Sequence, residues 1–212
     1  MKNNRWSNYE IMKTQMADSF LQYNQDEMIG KFSLEHDDLF LYIDFTGRHY
    51  RIDRQSGVVM WQSQSLWCQA DYNEVMTLYD LLCYSRPNCR ASGNMKNLAS
   101  LSSIRGGSLQ KGAGFFQNSV RHFAGKTDAL SIACRSLGGI PDGISDVGYR
   151  LPLFSFLDVI LHFWDADEEF PASLQILVDT NILDFMHYET VMFAIGHLLE
   201  RLRDKSQELP QQ

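Results

Sequence analysis

The pattern of apolar and polar positions begins with a helical segment. Apolar residues recur at helical intervals near the N-terminus: Tyr9, Met12, Met16, Phe20 and Tyr23. Ser7 and Glu10 stand three residues apart, which is the spacing of a capping box. We therefore predict an amphipathic N-terminal helix over about residues 7–29, with Gly30 beyond its end.

The pattern changes to short extended segments between Leu39 and Trp61. The segments read DLFLYIDF, RHYRID and VVMW, and they are separated by Thr46-Gly47 and by residues 54–57. Short runs rich in β-branched and aromatic residues, bounded by turn residues, are typical of strands. We predict a three-strand meander.

Three further helices are predicted downstream. The first begins at the capping-box pair Asp71 and Glu74 and is blocked by Pro87. The last covers residues 188–203 and precedes a loose tail over about residues 204–212. The longest ends at Gly138-Gly139. Its apolar stripe alternates spacings of four and three residues: Phe116, Val120, Phe123, Thr127, Leu130, Cys134 and Leu137.

The segment from Leu153 to Trp164 has two interpretations. As a strand it is a continuous buried run, whereas as a helix it would place Asp158, His162 and Asp165 on one polar face. Pro171 would fit poorly inside a helix. We therefore favour a hairpin with its turn at residues 164–168 and a returning strand at residues 174–179.

The order of these elements predicts the fold class. Strands come in runs that are separated by runs of helix, which indicates an α+β fold. We expect a largely antiparallel sheet, made of the early three-strand meander and the late hairpin and packed by amphipathic helices. At 212 residues, with 44% apolar and 21% charged residues, the chain has the size and composition of a single globular domain.

Charge and cysteine content narrow the function classes. The net charge is −7 and the basic residues are dispersed, so no footprint for a polyanion is present and we expect no nucleic-acid partner. No apolar run has the ~20 residues of a membrane span, and the N-terminus has no apolar core typical of a secretory signal. We expect a soluble, cytoplasmic protein without a membrane partner.

The four cysteines include no C-x-x-C pair, which argues against a zinc ribbon or a cysteine-ligated cluster.

Several motifs resemble catalytic or nucleotide-binding signatures only in part. Gly125-Lys126-Thr127 resembles the end of a phosphate-binding loop, but Val120 stands where that loop needs glycine, and the motif falls inside the predicted long helix. The segment from Gly106 to Gly114 is interpreted as a flexible loop, or as a lid over a ligand. Ser145 lacks the spacing of a serine-hydrolase elbow. His197 is expected to be solvated, because it points away from the apolar stripe of its helix.

An acidic cluster is the remaining candidate site. Asp165, Asp167, Glu168 and Glu169 lie between Trp164 and Phe170. In an extended chain Asp165, Asp167 and Glu169 fall on one side and Glu168 on the other, with same-side neighbours ~7 Å apart, so two carboxylates can converge on a hard cation. The candidate metal ligands are Asp167, Glu168 and Glu169. The alternative, favoured on general grounds, is a solvated turn that protects a sheet edge. The ligand-binding candidates, including nearby basic groups, are Trp164, Asp165, Asp167, Glu168, Glu169, Phe170, His162 and Arg121.

The late region of the chain resembles a known family. Leu151-Pro152, an apolar segment ending in Trp164, the motif DEEFPA at residues 167–172 and a returning ILVD are similar to the bacterial and archaeal domain of unknown function numbered 3786. Leu137-Gly138-Gly139 before Asp146 is similar as well, and the resemblance covers roughly residues 30–202. It implies no catalytic residue. If the motif marks a site, its positions are Trp164, Asp167, Glu168, Glu169 and Phe170.

The same resemblance implies a biological context. Some members look attached to an iron–sulfur domain like that of corrinoid proteins of anaerobic one-carbon metabolism. This implies an anaerobic host and a redox or corrinoid protein as partner, although the present chain has no four-cysteine module of that kind.

Three functions therefore stand as hypotheses. The first is an accessory protein that binds a small molecule, a metal or a fragment of a cofactor. The second is a metal-assisted hydrolase or transferase that uses Asp167 and Glu168 as ligand and base; it is the weaker reading, because no His and carboxylate arrangement has a recognised catalytic spacing. The third is a protein-interaction module without a ligand. The sequence identifies no cofactor.

Overall fold

A computed structural model describes residues 8–101 and 112–208, with the side chains of residues 112–115 left out. Ser7 of the predicted capping box lies outside these residues, and so does the predicted loop as far as Lys111. The last three residues of that loop begin a helix. The described strands pair antiparallel, and the predicted α+β class is confirmed.

The described residues form the following elements. The helices are α1 (Asn8–Phe20), α2 (Gln25–Phe32), α3 (Tyr72–Tyr84), α4 (Gly112–Phe123), α5 (Thr127–Ser136), α6 (Ile182–Phe185) and α7 (Tyr188–Gln207). The strands are β1 (Glu35–His36), β2 (Phe40–Phe45), β3 (Arg48–Asp53), β4 (Val59–Ser63), β5 (Leu66–Gln69), β6 (Met95–Asn97), β7 (Ile140–Pro141), β8 (Val147–Phe154), β9 (Leu157–Trp164) and β10 (Ser173–Asp179). Their contacts group the chain into two compact units, residues 1–90 with 183–194 and residues 91–182 with 195–212. The expectation of one globular domain stays a prediction.

The first unit contains the predicted meander. Strands β2, β3 and β4 pair in sequence order, β5 adds a fourth strand, and β1 pairs with β2. Side chains alternate across these strands, so that Leu41, Ile43 and Phe45 are buried while their neighbours stay accessible. Buried aromatic rings also join α1 to α3, since Phe20 lies 5.7 Å from Tyr79 between ring centroids.

The prediction of one N-terminal helix is wrong. Two helices occupy the region, and the chain between them contains Asn24. The Asn24 side chain accepts hydrogen bonds from the backbone N–H groups of Asp26 and Glu27, so it starts a new helix. Gly30 lies inside α2, and the residue that ends α2 is Ser33, with a φ of 52°.

The predicted capping box of α3 is confirmed. The Asp71 carboxylate accepts from the Glu74 backbone N–H at 2.9 Å, and the Glu74 carboxylate accepts from the Asp71 N–H at 2.7 Å. Glu74 is also buried, where it accepts from Tyr50 Oη at 2.6 Å and from Arg48 Nη1 at 2.5 Å. These hydrogen bonds offset the cost of burying the Glu74 carboxylate in the interior of this unit.

The second unit contains the predicted hairpin. Strands β9 and β10 pair antiparallel, with Trp164 opposite Ser173. The sequence analysis did not predict β8 as a separate strand. In the structure β8 forms a hairpin with β9 through a two-residue turn at residues 155–156. The strand was missed because strands buried on both faces show no alternation of apolar and polar residues, so β8 and β9 look like one apolar run.

Asp179, at the end of β10, is a buried carboxylate that binds backbone. It accepts hydrogen bonds from the N–H groups of Ser92, Gly93 and Asn181 at 2.8–3.0 Å. Burial opposes the ionisation of Asp179, but the hydrogen bonds from Ser92, Asn181 and Gly93 outweigh it, and together they lower the pKa of this carboxyl.

Two other helix predictions need correction. The long third helix is two helices, α4 and α5, because Gly125 adopts a left-handed φ of 70° between them. The predicted stop at Gly138, with a φ of 81°, is confirmed. The last helix continues to Gln207, so the tail is helical over its first four predicted residues. His197 on that helix is buried, contrary to the expectation of a solvated side chain. Within the described ranges, no helix combines the length and the apolar character that crossing a membrane requires.

Candidate functional site

The predicted acidic cluster lies in the connection between β9 and β10. The Asp167 carboxylate accepts hydrogen bonds from the backbone N–H groups of Phe170 at 2.7 Å and Glu169 at 2.8 Å. These bonds, that from Phe170 first, lower the pKa of Asp167. Asp167, Glu168 and Glu169 are exposed, and the Phe170 side chain is 66% accessible. The geometry is that of a solvated turn closed by Asp167.

No hydrogen bond or ion pair joins Arg121 to the described carboxylates of this turn. Arg121 is exposed on α4 and donates to Gln117 at 3.1 Å. Asp167, Glu168 and Glu169 do not form a group whose ligand atoms lie within 4.8 Å of one another. Metal binding by the three carboxylates stays a prediction.

Asp165 has a different role from the rest of the cluster. Both of its carboxylate oxygens accept from the backbone N–H of Gly125 at 3.0 Å, and its own N–H donates to Asp146 Oδ2 at 2.7 Å. Gly125 is the glycine that separates α4 from α5. Asp165 therefore connects the end of β9 to this helix break within the second unit.

His162 forms a buried pair with a residue that the sequence did not single out. Its Nε2 lies 2.6 Å from Asp142 Oδ2, and the side chain is 5% accessible. Trp164 contacts the imidazole edge to face, with the ring centroids 5.7 Å apart. Of the predicted site residues, the structure thus brings His162, Trp164 and Asp165 to one end of β9.

Gly148 creates the space for this pair. It is the cross-strand partner of His162, and a Cβ atom at this position would lie 2.1 Å from Asp142 Oδ1. The same position is 3.1 Å from Ser145 Oγ, a buried hydroxyl without a hydrogen-bond partner among the described residues. The spacing D-x-x-S-x-x-G at residues 142–148 was the available signal, but it matches no catalytic pattern, so the sequence analysis missed Asp142.

A cavity of about 190 Å³ lies in the first unit. It is half open to solvent and is bordered by one face of α1, by the turn between β3 and β4, and by α3. The lining residues are Glu10, Lys13, Thr14, Ala17, Asp18, Ser56, Val58, Val59, Gln69, Val75 and Tyr79. The sequence analysis proposed none of them, because they come from four separate segments and share no local motif.

Close contact between α1 and the β3–β4 turn shapes this cavity. Gly57 has a left-handed φ of 73°, and a Cβ atom there would meet the Ala17 backbone at 3.0 Å. The Tyr79 hydroxyl donates a hydrogen bond to the Gly57 carbonyl oxygen. Burial raises the pKa of Tyr79, so its hydroxyl remains a donor over the whole physiological pH range.

The lining combines apolar and charged groups. Ala17, Val59 and Val75 provide apolar surface. The Lys13 ammonium is already bound, at 3.1 Å to the Ala70 carbonyl oxygen and at 3.3 Å to Glu10. The exposed Asp18 carboxylate has no hydrogen bond or ion pair with any described residue. The cavity can therefore accept a molecule with an apolar part and a cationic or hydrogen-bonding group.

The described structure is that of an α+β protein whose first unit contains a concave cavity. Comparison with known families gives a more specific result. The chain belongs to the family described as Domain of unknown function (DUF3786), whose profile matches residues 25–201. The resemblance found in the sequence is thereby confirmed. No curated protein and no solved structure matches the chain.

Proposed function

We propose that this chain is a binding protein for a small molecule and that the cavity in its first unit is the binding site. The observation that carries the proposal is the half-open space of about 190 Å³ between α1, the β3–β4 turn and α3. Concave sites with apolar walls and a few polar groups are the usual places for small ligands. Tyr79, a lining residue with a raised pKa, adds to this case.

The lining indicates the type of ligand. Lys13 is held by Glu10 and the backbone, so an anion would have to compete with bonds that already exist. Asp18 is available to a positive group, and Val59 with Val75 can contact an apolar portion. A compact organic amine fits these features better than an organic acid.

A pair of neighbouring tryptophan substitutions tests the location. Thr14 and Gln15 are both exposed on α1, but only Thr14 lines the cavity. We would screen a library of small organic amines by ligand-observed NMR against wild type, Thr14→Trp and Gln15→Trp. Binding should persist in wild type and in Gln15→Trp, and it should be lost in Thr14→Trp because the indole fills the cavity.

Two outcomes would contradict the proposal. Ligands that bind Thr14→Trp as well as wild type occupy another site. A silent amine screen, together with a bare polypeptide mass in native mass spectrometry of freshly purified protein, would argue against a small-molecule function for this cavity. Circular dichroism of both variants is the control for folding.

The remaining hypotheses keep the status of sequence predictions. For metal binding at Asp167, Glu168 and Glu169, the Asp167 ligand atom would be Oδ2, because Oδ1 already accepts two backbone N–H groups. Partnership with a redox or corrinoid protein and a cytoplasmic location rest on the sequence arguments alone. A metal-assisted hydrolase that uses Asp167 and Glu168 also stays a prediction from the sequence.

A further inference from the structure

The outer face of the sheet in the first unit carries an uncommon set of side chains, which we call the aromatic face. Its members are Phe40 and Tyr42 on β2, His49 and Arg51 on β3, Met60 on β4 and Trp67 on β5. Arg51 stands opposite both Tyr42 and Met60 in the strand register. These positions alternate with buried residues such as Leu41 and Ile52, so the aromatic face is the side of the sheet turned away from the core.

Arg51 is held in a fixed position at the centre of the aromatic face. Its Cζ atom lies 4.4 Å from the Phe40 ring centroid and 4.2 Å from that of Trp67. Nη2 lies 3.6 Å from the sulfur of Met60. Cation–π contacts with two rings order the guanidinium and stabilise its charge. The side chain is therefore pre-organised before any ligand arrives.

The polar neighbours of Arg51 are hydrogen-bonded to carboxylates, whereas Arg51 interacts with a carboxylate, that of Asp53, only at longer range. The Tyr42 hydroxyl donates to Asp37 Oδ2 at 2.7 Å, and His49 Nδ1 lies 2.7 Å from Asp44 Oδ1. Among the described residues, no carboxylate forms an ion pair with Arg51. Its Nε atom is buried without a hydrogen-bond partner. Among the described contacts the guanidinium thus has only the Met60 sulfur, a weak acceptor, and no oxygen acceptor, so it can still bind an oxyanion.

We propose that Arg51 is the anchor of a second binding site, which takes the carboxylate or phosphate group of a small organic ligand that also carries a flat ring. Phe40 and Trp67 cover the guanidinium, so an oxyanion must approach at the free edge. Arginine binds carboxylate and phosphate at this edge through two parallel hydrogen bonds. The ring of the ligand can lie against the Tyr42–His49 stack, whose rings are 5.5 Å apart and nearly parallel at 8°.

This site differs from the cavity in position and in charge preference. The cavity offers Asp18 to a positive group, whereas the aromatic face offers Arg51 to a negative one. None of the members of the aromatic face lines the cavity. The protein carries a net charge of −7, so general attraction does not explain anion binding, and any saturable binding must come from a specific contact.

The test uses four defined probes. Benzoate and phenyl phosphate carry both the ring and the oxyanion, whereas acetate and inorganic phosphate carry the oxyanion alone. We would titrate each into protein labelled with ¹⁵N and follow the Arg51 Nε–H and Trp67 indole signals at constant ionic strength. Both ring-bearing probes should produce saturable shifts at lower concentration than their ring-free counterparts. Tighter binding of benzoate would indicate a carboxylate ligand, and tighter binding of phenyl phosphate would indicate a phosphate ligand.

Three variants identify the anchor. Arg51→Gln should weaken binding of the ring-bearing probes by about tenfold or more, since it removes the charge-assisted pair. Arg51→Lys should recover only part of the affinity, because lysine lacks the planar fork. Arg203→Gln, at an exposed arginine on α7, is the matched control and should bind like wild type. Thr14→Trp should also bind normally, which separates this site from the cavity.

The outcomes that would overturn the proposal are equally specific. Shifts of the same size in wild type and Arg51→Gln would place the anion elsewhere. Shifts that increase linearly without saturation, or that chloride reproduces at equal ionic strength, would reduce the effect to screening. A complete lack of shifts in folded wild type would also reject the site. Far-UV circular dichroism and unchanged amide signals outside β2–β5 would show that Arg51→Gln is folded.

Discussion

Replacing Gly148 with alanine should break the buried His162–Asp142 pair. The new Cβ would lie 2.1 Å from Asp142 Oδ1, far inside contact distance, and 3.1 Å from Ser145 Oγ. The Asp142 side chain must rotate away, and its 2.6 Å bond to His162 Nε2 is then lost. The carboxylate is the flexible end of a short side chain, so the main cost is the lost hydrogen bond and not a backbone clash.

The size of the effect follows from the burial of the pair. A hydrogen bond to a charged group contributes about 1.5–3 kcal/mol, and an imidazole left buried without its partner adds to the loss. We expect Gly148→Ala to lower the free energy of unfolding by roughly 2–3 kcal/mol. For a chain of this length, this corresponds to a decrease in Tm of roughly 4–12 °C.

Chemical denaturation measures this change, and Gly30→Ala is the matched control. Gly30 lies inside α2 with no heavy atom within 4 Å of an added Cβ, so the same substitution should stabilise the protein by about 0.5–1 kcal/mol. NMR of the His162 imidazole nitrogens reports the pair directly. If Gly148→Ala unfolds within about 0.5 kcal/mol of wild type and the imidazole signals do not move, the contact argument is wrong.

Three more outcomes follow from the described contacts. The pKa of Asp179 is lower in the folded than in the unfolded protein. Its contribution to stability is therefore complete above the unfolded-state pKa and disappears as the pH falls through the native pKa. Asp179→Asn should remove this dependence and flatten the acid side of a plot of unfolding free energy against pH. Gly57→Ala should cost at least about 1–2 kcal/mol in urea denaturation, because the left-handed φ and the nearby Ala17 backbone both exclude a Cβ. Burial raises the pKa of Cys134 to about 12, so this thiol should resist alkylation in the native protein. Cys68 is partly accessible and should react before Cys134. Equal labelling rates of the two cysteines, measured by mass spectrometry, would contradict this prediction.

Local signals in the sequence were sufficient for most of the fold. The capping box at Asp71 and Glu74, the meander and the Gly138 stop all depend on residues a few positions apart, and each is confirmed. The errors occurred where a single residue interrupts a longer pattern. Asn24 and Gly125 each divide a predicted helix, because a side-chain cap or a left-handed glycine outweighs a continuous apolar stripe.

The candidate sites could not be predicted in the same way. The cavity combines α1 with residues 56–79, and the Asp142–His162 pair joins residues on separate strands and loops. Contacts of this type depend on strand register, which the sequence determines only through the complete fold. The sequence analysis also did not select Arg51. Arginine is common in strands, and only the structure shows that the Phe40 and Trp67 rings lie beside this one.

The acidic cluster shows that carboxylates adjacent in the sequence can have different structural roles. Two of its four carboxylates accept backbone hydrogen bonds: Asp165 binds Gly125, and Asp167 closes its own turn. Glu168 and Glu169 are exposed. The two proposed sites differ from this turn in shape, since Asp18 lines a concave cavity and Arg51 lies between two aromatic rings. Both residues lie in the first unit, more than one hundred residues before the acidic motif.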